Sequence, residues 1–213
     1  MVREIPFFPN TGDGTHCWQA VLMMVLSYFE PEQHFSYEEL DRISAKQDGK
    51  WTWPTASMLW LHKRGYNLKL IEDFDFADFA QRGEAYVIDR CGEEVGKIQI
   101  EQSNILQELA FAREFSQLSP NPLEVRLPAL EDLKQLKSEG YLSICNVNAS
   151  LLYQQPGYSA HFVLVCDVGE THVTLHDPGL PPQASVKIKR EVFEKAWAFP
   201  SEREKNVLAL KKG

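Results

Sequence analysis

The chain lacks most of the features that assign a class at a glance. None of its 213 residues belongs to an apolar run near the roughly 18 that a membrane span needs. The longest run, Ala20 to Leu26, stops at Ser27 and reads as part of a helix packed against protein. Positive charge is in short supply, 22 Lys and Arg against 30 Asp and Glu, for a formal net charge of −8. Nucleic-acid binders concentrate Lys and Arg, and here these residues are dispersed apart from short clusters such as Lys187-Ile188-Lys189-Arg190, so no nucleic-acid partner is expected. The four cysteines show no CxxC spacing and never cluster with histidine at ligand distance, which argues against a structural zinc site. Cys145 and Cys166 lie in apolar strand patterns and read as buried reduced thiols rather than a disulfide. Met1 to Pro6 carries no basic-then-apolar signal pattern, so the expected compartment is the cytoplasm. Without repeats, low-complexity tracts or a long linker, and with 44% hydrophobic residues, the chain reads as one globular domain over residues 1–213.

What is there divides into two halves. Residues 1 to about 140 read as helical. Thr15, after the turn-forming Gly12-Asp13-Gly14, is expected to cap a helix running to Tyr28 or Phe29. That helix is apolar nearly all round, the mark of a central buried element. Further helices are expected from Tyr37, Pro54, Asp75, Ile105 and Leu130, with a short strand at Asn67 to Ile71 and an undecided stretch from Ala85 to Ile100. From Tyr141 onward the pattern becomes β-branched and apolar, with strands at Tyr141–Val147, His161–Val168 and His172–His176, two more at Ala184–Ile188 and Asn206–Leu210, and a helix at Arg190–Ala196. Helices followed by an antiparallel sheet make an α+β fold.

Three residues carry chemistry. Cys17 opens the central helix, where the positive end of the macrodipole favours thiolate. His161 opens a strand after the loop Gln155 to Ala160. Asp177 closes the next strand, sixteen positions on, and antiparallel pairing returns it to the same end of the sheet. Together they form a nucleophile, a general base and a residue that orients the base. His16 reads as a rim residue and His176 as structural, facing away from Asp177's side of the strand. His34, His62 and His172 read as surface positions. Trp18 and Trp60 suit the core, while Trp51, Trp53 and Tyr158 suit either the core or an aromatic cleft. Asp73, Asp75 and Asp78 read as a solvated face.

The Cys-led apolar helix, His161-Phe162-Val163-Leu164-Val165, the hairpin and Asp177-Pro178-Gly179 resemble the papain-like cysteine peptidases of the bacteriocin-processing (double-glycine) type, family thirty-nine, and their stand-alone relatives. Phe193 to Trp197 is similar to a closing helix there, and the likeness is weakest over Ala85 to Leu127, which reads as an insertion. The resemblance implies a papain-like fold with a central helix packed on the sheet, Cys17 as nucleophile, His161 as base and acid, Asp177 as orienting residue, and no cofactor or metal. The substrate it implies is a peptide or other amide, cleaved through a thioester. The same triad serves an acyltransferase or transpeptidase, and a binding module that has lost turnover also remains open. The family commonly places Gln six residues before the nucleophile as an oxyanion donor. Here Thr11 stands there, and Asn10 and Gln19 are the candidates to replace it, beside the Cys17 backbone N–H. Trp18 stands where those enzymes usually have Gly.

Overall fold

The computed structural model describes residues 3–213; the reading of Met1 and Val2 as free of a targeting signal lies outside them. The helices are α1 (Cys17–Phe29), α2 (Tyr37–Ile43), α3 (Thr55–Lys63), α4 (Phe76–Arg82), α5 (Glu84–Cys91), α6 (Glu93–Gln102), α7 (Ile105–Ser116), α8 (Leu130–Ser138), α9 (Ala149–Leu152) and α10 (Arg190–Trp197), with a 3-10 turn at Glu202–Glu204. The strands are β1 (Tyr66–Glu72), β2 (Leu123–Val125), β3 (Leu142–Asn148), β4 (Ala160–Val168), β5 (His172–Asp177), β6 (Gln183–Lys189) and β7 (Asn206–Lys212). They form one sheet in the order β2-β1-β7-β3-β4-β5-β6. The fold is α+β, and the sheet is mixed. Every pairing is antiparallel except β1 with β2, so the helical half of the chain contributes two strands to the sheet of the second half. The three-residue β2 is too short to leave a periodic trace in the sequence.

Strand alternation explains how both faces of the sheet are covered. Leu142 and Ile144 of β3, Leu164 of β4 and Leu208 and Leu210 of β7 pack with α1. Their neighbours Cys145, Val147, Val163, Val165, Val207 and Ala209 turn to the opposite side, against Leu130, Leu133 and Leu136 of α8 and Phe193 and Trp197 of α10. Residues Trp18 to Leu26 of α1 are all buried, as expected of a helix apolar on every side. Its far end is pinned by Glu30, which accepts from Arg64 Nη2 (2.8 Å), Lys212 Nζ (2.8 Å) and the Tyr66 hydroxyl (2.5 Å).

Several local expectations change. Thr15 does not cap α1. The N-cap is His16, which makes no side-chain cap bond, and the Thr15 hydroxyl goes to Asp13 instead. The undecided stretch forms the paired helices α5 and α6. Asp75 is the N-cap of α4, accepting from the N–H groups of Ala77 and Asp78, and Asp73 pairs with Arg203, so only part of that acidic run is a solvated face. Cys145 is buried, Cys166 is half-buried, and all four cysteines are free thiols. No helix among the described residues is long and apolar enough to cross a membrane.

Candidate active site

The loop before α1 is held by short polar side chains that bond its own N–H groups, those of Thr15 and His16. Asn10 is buried, and its Oδ1 accepts from the His16 N–H at 2.7 Å. Gly14, at φ +73°, makes the turn with its N–H on the Thr11 carbonyl (2.9 Å). Asp13 accepts from the Thr11 and Thr15 hydroxyls, which hold its carboxyl well below the usual range. Cys17 is thereby fixed as the first residue of α1. The backbone N–H of Asn10 also donates to the Pro178 carbonyl at 2.8 Å, which ties the loop preceding Cys17 to the loop following Asp177.

On the sheet side, Asn148 arranges the approach to His161. Its Oδ1 accepts from the N–H groups of Ser150 and Ser159 (both 3.1 Å), and its Nδ2 donates to the Gly157 carbonyl. The His161 N–H then donates to Asn146 Oδ1 at 3.1 Å. Pairing of β4 with β5 aligns Leu164 with His176, across a bulge at Val165–Asp167, and brings Asp177 beside His161. The His161 Nε2 to Asp177 Oδ1 distance is 2.6 Å, with Asp177 1% exposed. Asp177 Oδ1 also accepts from the Gly179 N–H at 2.7 Å, and Oδ2 accepts from the Tyr153 hydroxyl, which in turn accepts from Gln183 Nε2 at 3.0 Å. Gly179 has no room for a side chain. A Cβ there would stand 2.9 Å from Asp177 Oδ1 and 3.4 Å from His161 Nε2.

With Nε2 engaged by Asp177, Nδ1 is the ring nitrogen left for Cys17, which lines the same cavity as His161. Burial pushes the Cys17 thiol up, but the His161 hydrogen bond and charge, with the N–H groups of Phe162 and Trp18, outweigh it and hold the thiol below its ordinary value. Burial likewise disfavours the imidazolium. The Asp177 and Cys17 hydrogen bonds and charges overcome that and lift His161 to about 10. Burial also opposes the Asp177 charge, yet His161, Tyr153 and the Gly179 N–H keep that carboxyl below its usual range. Both shifts favour the proton on the ring over the sulfur.

Cys17 and His161 stand on a cavity of about 210 Å³, more than ten times the room one water needs (roughly 10–15 Å³). Trp51 and Trp53 line it with Tyr158's neighbours Ser159 and Ala160, Trp53 serving the core as well through its stack on Phe79 (5.3 Å); Trp18, 1% exposed and bonded to Ser57, also reaches it. The stretch that reads as an insertion supplies another wall through Val87, Arg90, Cys91 and Gln99.

The other expected residues are placed as follows. Gln19 Nε2 donates to Ser44 (2.9 Å) and Thr52 (3.2 Å), while its Oε1 is buried with no partner among the described residues. Thr11 uses its hydroxyl on Asp13 and His16. Asn10 spends its oxygen on His16, which leaves Nδ2 as the end free to donate. His16 is more enclosed than a rim residue, held by Thr11 (2.6 Å) and Asp41 (3.3 Å). His176 joins structural elements, with Nδ1 accepting from Ser185 N–H and Nε2 facing the Ile5 carbonyl. Tyr153, Asn146 and Gln183 have no spacing signal in the sequence. A polar residue inside the apolar run of β3 was the one available hint, and it marks Asn146.

No family model matches the chain, and no curated protein sequence matches it. Among solved structures it is similar to the peptidase domain of Streptococcus ComA, a bi-functional ABC transporter involved in a quorum-sensing pathway. That likeness has a TM-score of 0.52 and 12% identity, and covers 99% of this chain and 100% of that one. A weaker match, at TM-score 0.32 and 23% identity, covers 40% of this chain and 48% of a chain described as a C39-like peptidase from Bacillus anthracis. The first match shows that this chain has the fold of that peptidase domain.

Proposed function

We propose that this chain is a cysteine hydrolase that cleaves a peptide or other amide bond with Cys17, His161 and Asp177. The observation that carries the reading is a single imidazole bonded to a buried carboxylate and lining one cavity with a thiol at a helix N-terminus. Such an arrangement turns a weak thiol nucleophile into a thiolate–imidazolium pair at neutral pH. The peptidase-domain fold supports the reading further.

In the first step the Cys17 sulfur bonds to the scissile carbonyl carbon, and the oxyanion is met by the Cys17 N–H and Asn10 Nδ2. As the C–N bond breaks, the leaving nitrogen takes the His161 proton and departs as an amine, leaving a thioester. Water then adds to the thioester, with His161 accepting one of its protons, and collapse releases a carboxylic acid and the Cys17 thiolate. Asp177 holds the ring so that Nδ1 faces the sulfur throughout; Tyr153 and Gly179 position Asp177.

Incubation with p-nitrophenyl acetate followed by peptide mass mapping tests this. Wild-type protein is expected to give a burst of p-nitrophenol with acetyl on Cys17, and Cys17→Ala neither. Undiminished burst and turnover in Cys17→Ala would overturn the reading.

A further inference from the structure

We propose that the cavity behind Cys17 receives the free amino terminus of a short peptide, with Glu72 binding the α-ammonium and Arg90 Nη1 the carbonyl oxygen of the first residue. This rests on the cysteine-hydrolase reading and specifies its substrate: a peptide from which three or four N-terminal residues are removed, retained as the acyl part of the thioester until water releases them.

The distance comes from the sheet register. Phe162 pairs with Asn146, Asn146 lies opposite Asn206 through the Asn146 N–H to Asn206 Oδ1 bond (2.8 Å), and Asn206 pairs with Glu72. All four residues line the cavity in one row across β4, β3, β7 and β1. Three inter-strand steps of about 4.8 Å put Glu72 about 14 Å from the Phe162 N–H that faces Cys17. An extended peptide advances about 3.3–3.6 Å per residue, so three or four residues span that distance once the Glu72 side chain reaches back.

The chemistry comes from the far end. The ionisable groups at that end of the cavity include Glu72, Glu204 and Arg90, two carboxyls to one guanidinium; the Asp73–Arg203 pair beside them cancels. Arg90, with its side chain 5% exposed, faces Glu204 through Nε at 3.2 Å and donates through Nη2 to the Arg203 carbonyl, while Nη1 is buried with no partner among the described residues. These contacts bridge α5 to the Glu202–Glu204 turn, a barrier to a longer chain. Glu72 is raised to about 7 by burial, by the Glu204 and Asp73 charges and against the pull of Arg90, with no hydrogen-bond donor to hold it charged. Cys91 completes that end and is raised to about 12.

A half-buried carboxylate without a donor suits a cation, and a buried guanidinium N–H without an acceptor suits an oxygen. A carboxylate ligand would satisfy Arg90 but face two glutamates. A lysine side chain would satisfy Glu72 and leave Nη1 unmet. A peptide amino terminus carries an ammonium and a carbonyl oxygen on adjacent groups and meets both.

The experiment measures binding to the full-length Cys17→Ala protein by intrinsic fluorescence, since Trp51 and Trp53 line the cavity. The probes are tetraalanine, N-acetyl-tetraalanine and N-acetyl-Ala-Lys-Ala-Ala. Tetraalanine is expected to bind about tenfold more tightly than its acetylated form at pH 7.5, with the advantage lost in Cys17→Ala/Glu72→Gln. The advantage should rise as pH climbs through about 7, where Glu72 ionises, and fall above about 8, where the α-amine loses its proton. Equal binding of the free and acetylated peptides overturns the proposal, as does absence of binding by any probe. Tightest binding by the acetylated lysine peptide overturns the amino terminus in favour of a side-chain cation. None of these results bears on Cys17 acetylation by the ester, so the hydrolase reading stands or falls separately.

Discussion

Replacing His161 with glutamine removes the group that keeps the proton off the Cys17 sulfur. In the intact site the His161 hydrogen bond and charge help outweigh burial. In the variant, burial is opposed only by the N–H groups of Phe162 and Trp18, so the thiol returns to its ordinary pKa of about 8.5 or rises above it. At pH 6 such a thiol is ionised in about one molecule in 300. A low-pKa thiolate is a weaker nucleophile, with a Brønsted slope of about 0.4–0.5, which offsets part of that factor. The rate of Cys17 alkylation by iodoacetamide at pH 6 should therefore fall by between about 10- and 300-fold. Above about pH 9.5 the order reverses, because both sulfurs are then ionised and the variant's is the more basic. The remaining thiols act as references in the same digest, since burial lifts Cys91 to about 12, Cys166 to about 11 and Cys145 further still. Parallel profiles for Cys17 in the two proteins, with no crossing, would refute the pairing. Increased labelling of the reference thiols would reveal unfolding instead.

Two further outcomes follow from contacts around the site. Gly179→Ala places a methyl 2.9 Å from Asp177 Oδ1; displacing that carboxylate by even a fraction of an ångström should slow acylation by up to about 100-fold and cost about 1–3 kcal/mol of stability in urea. An unchanged acylation rate would mean that the loop yields freely. Glu30→Gln should destabilise the protein by about 2 kcal/mol, less than the 3–5 typical of a fully buried pair, because Arg64 and Lys212 can turn to water. Burial works against the Glu30 charge, but Lys212, Tyr66 and Arg64 hold its carboxyl below the ordinary value. Its contribution is thus present above about pH 4.3 and lost as pH falls through the depressed folded value, so wild type and variant should converge in acid. A constant difference down to pH 2 would contradict this.

The parts of the fold legible in the sequence were those governed by periodicity and by single-residue punctuation. Apolar, β-branched runs marked β3, β4 and β7 because each strand has both faces covered, and the turn at Gly169 with Asp177-Pro178 at the strand end constrained where His161 and Asp177 fall. Thr15 misled because a local cap and a remote one look alike. Asn10 has the same capping chemistry six residues upstream of His16, and only the folded loop shows that its oxygen takes that N–H. Tyr153 and Gln183 were illegible for another reason. They reach Asp177 from separate elements, and no spacing rule links a loop tyrosine to a strand-end carboxylate. The far wall of the cavity was hidden in the undecided stretch Ala85 to Ile100, which forms short helices with only a few core positions each, such as Val87 and Val95.

The bond from the Asn10 N–H to the Pro178 carbonyl has a consequence for biosynthesis. Its two ends are separated by most of the polypeptide, and so are the sulfur and its imidazole partner. During translation Cys17 emerges well before His161 and Asp177, and keeps the ionisation of an ordinary thiol until β4 and β5 have followed it. The shift in its pKa is thus withheld from the nascent chain by connectivity alone.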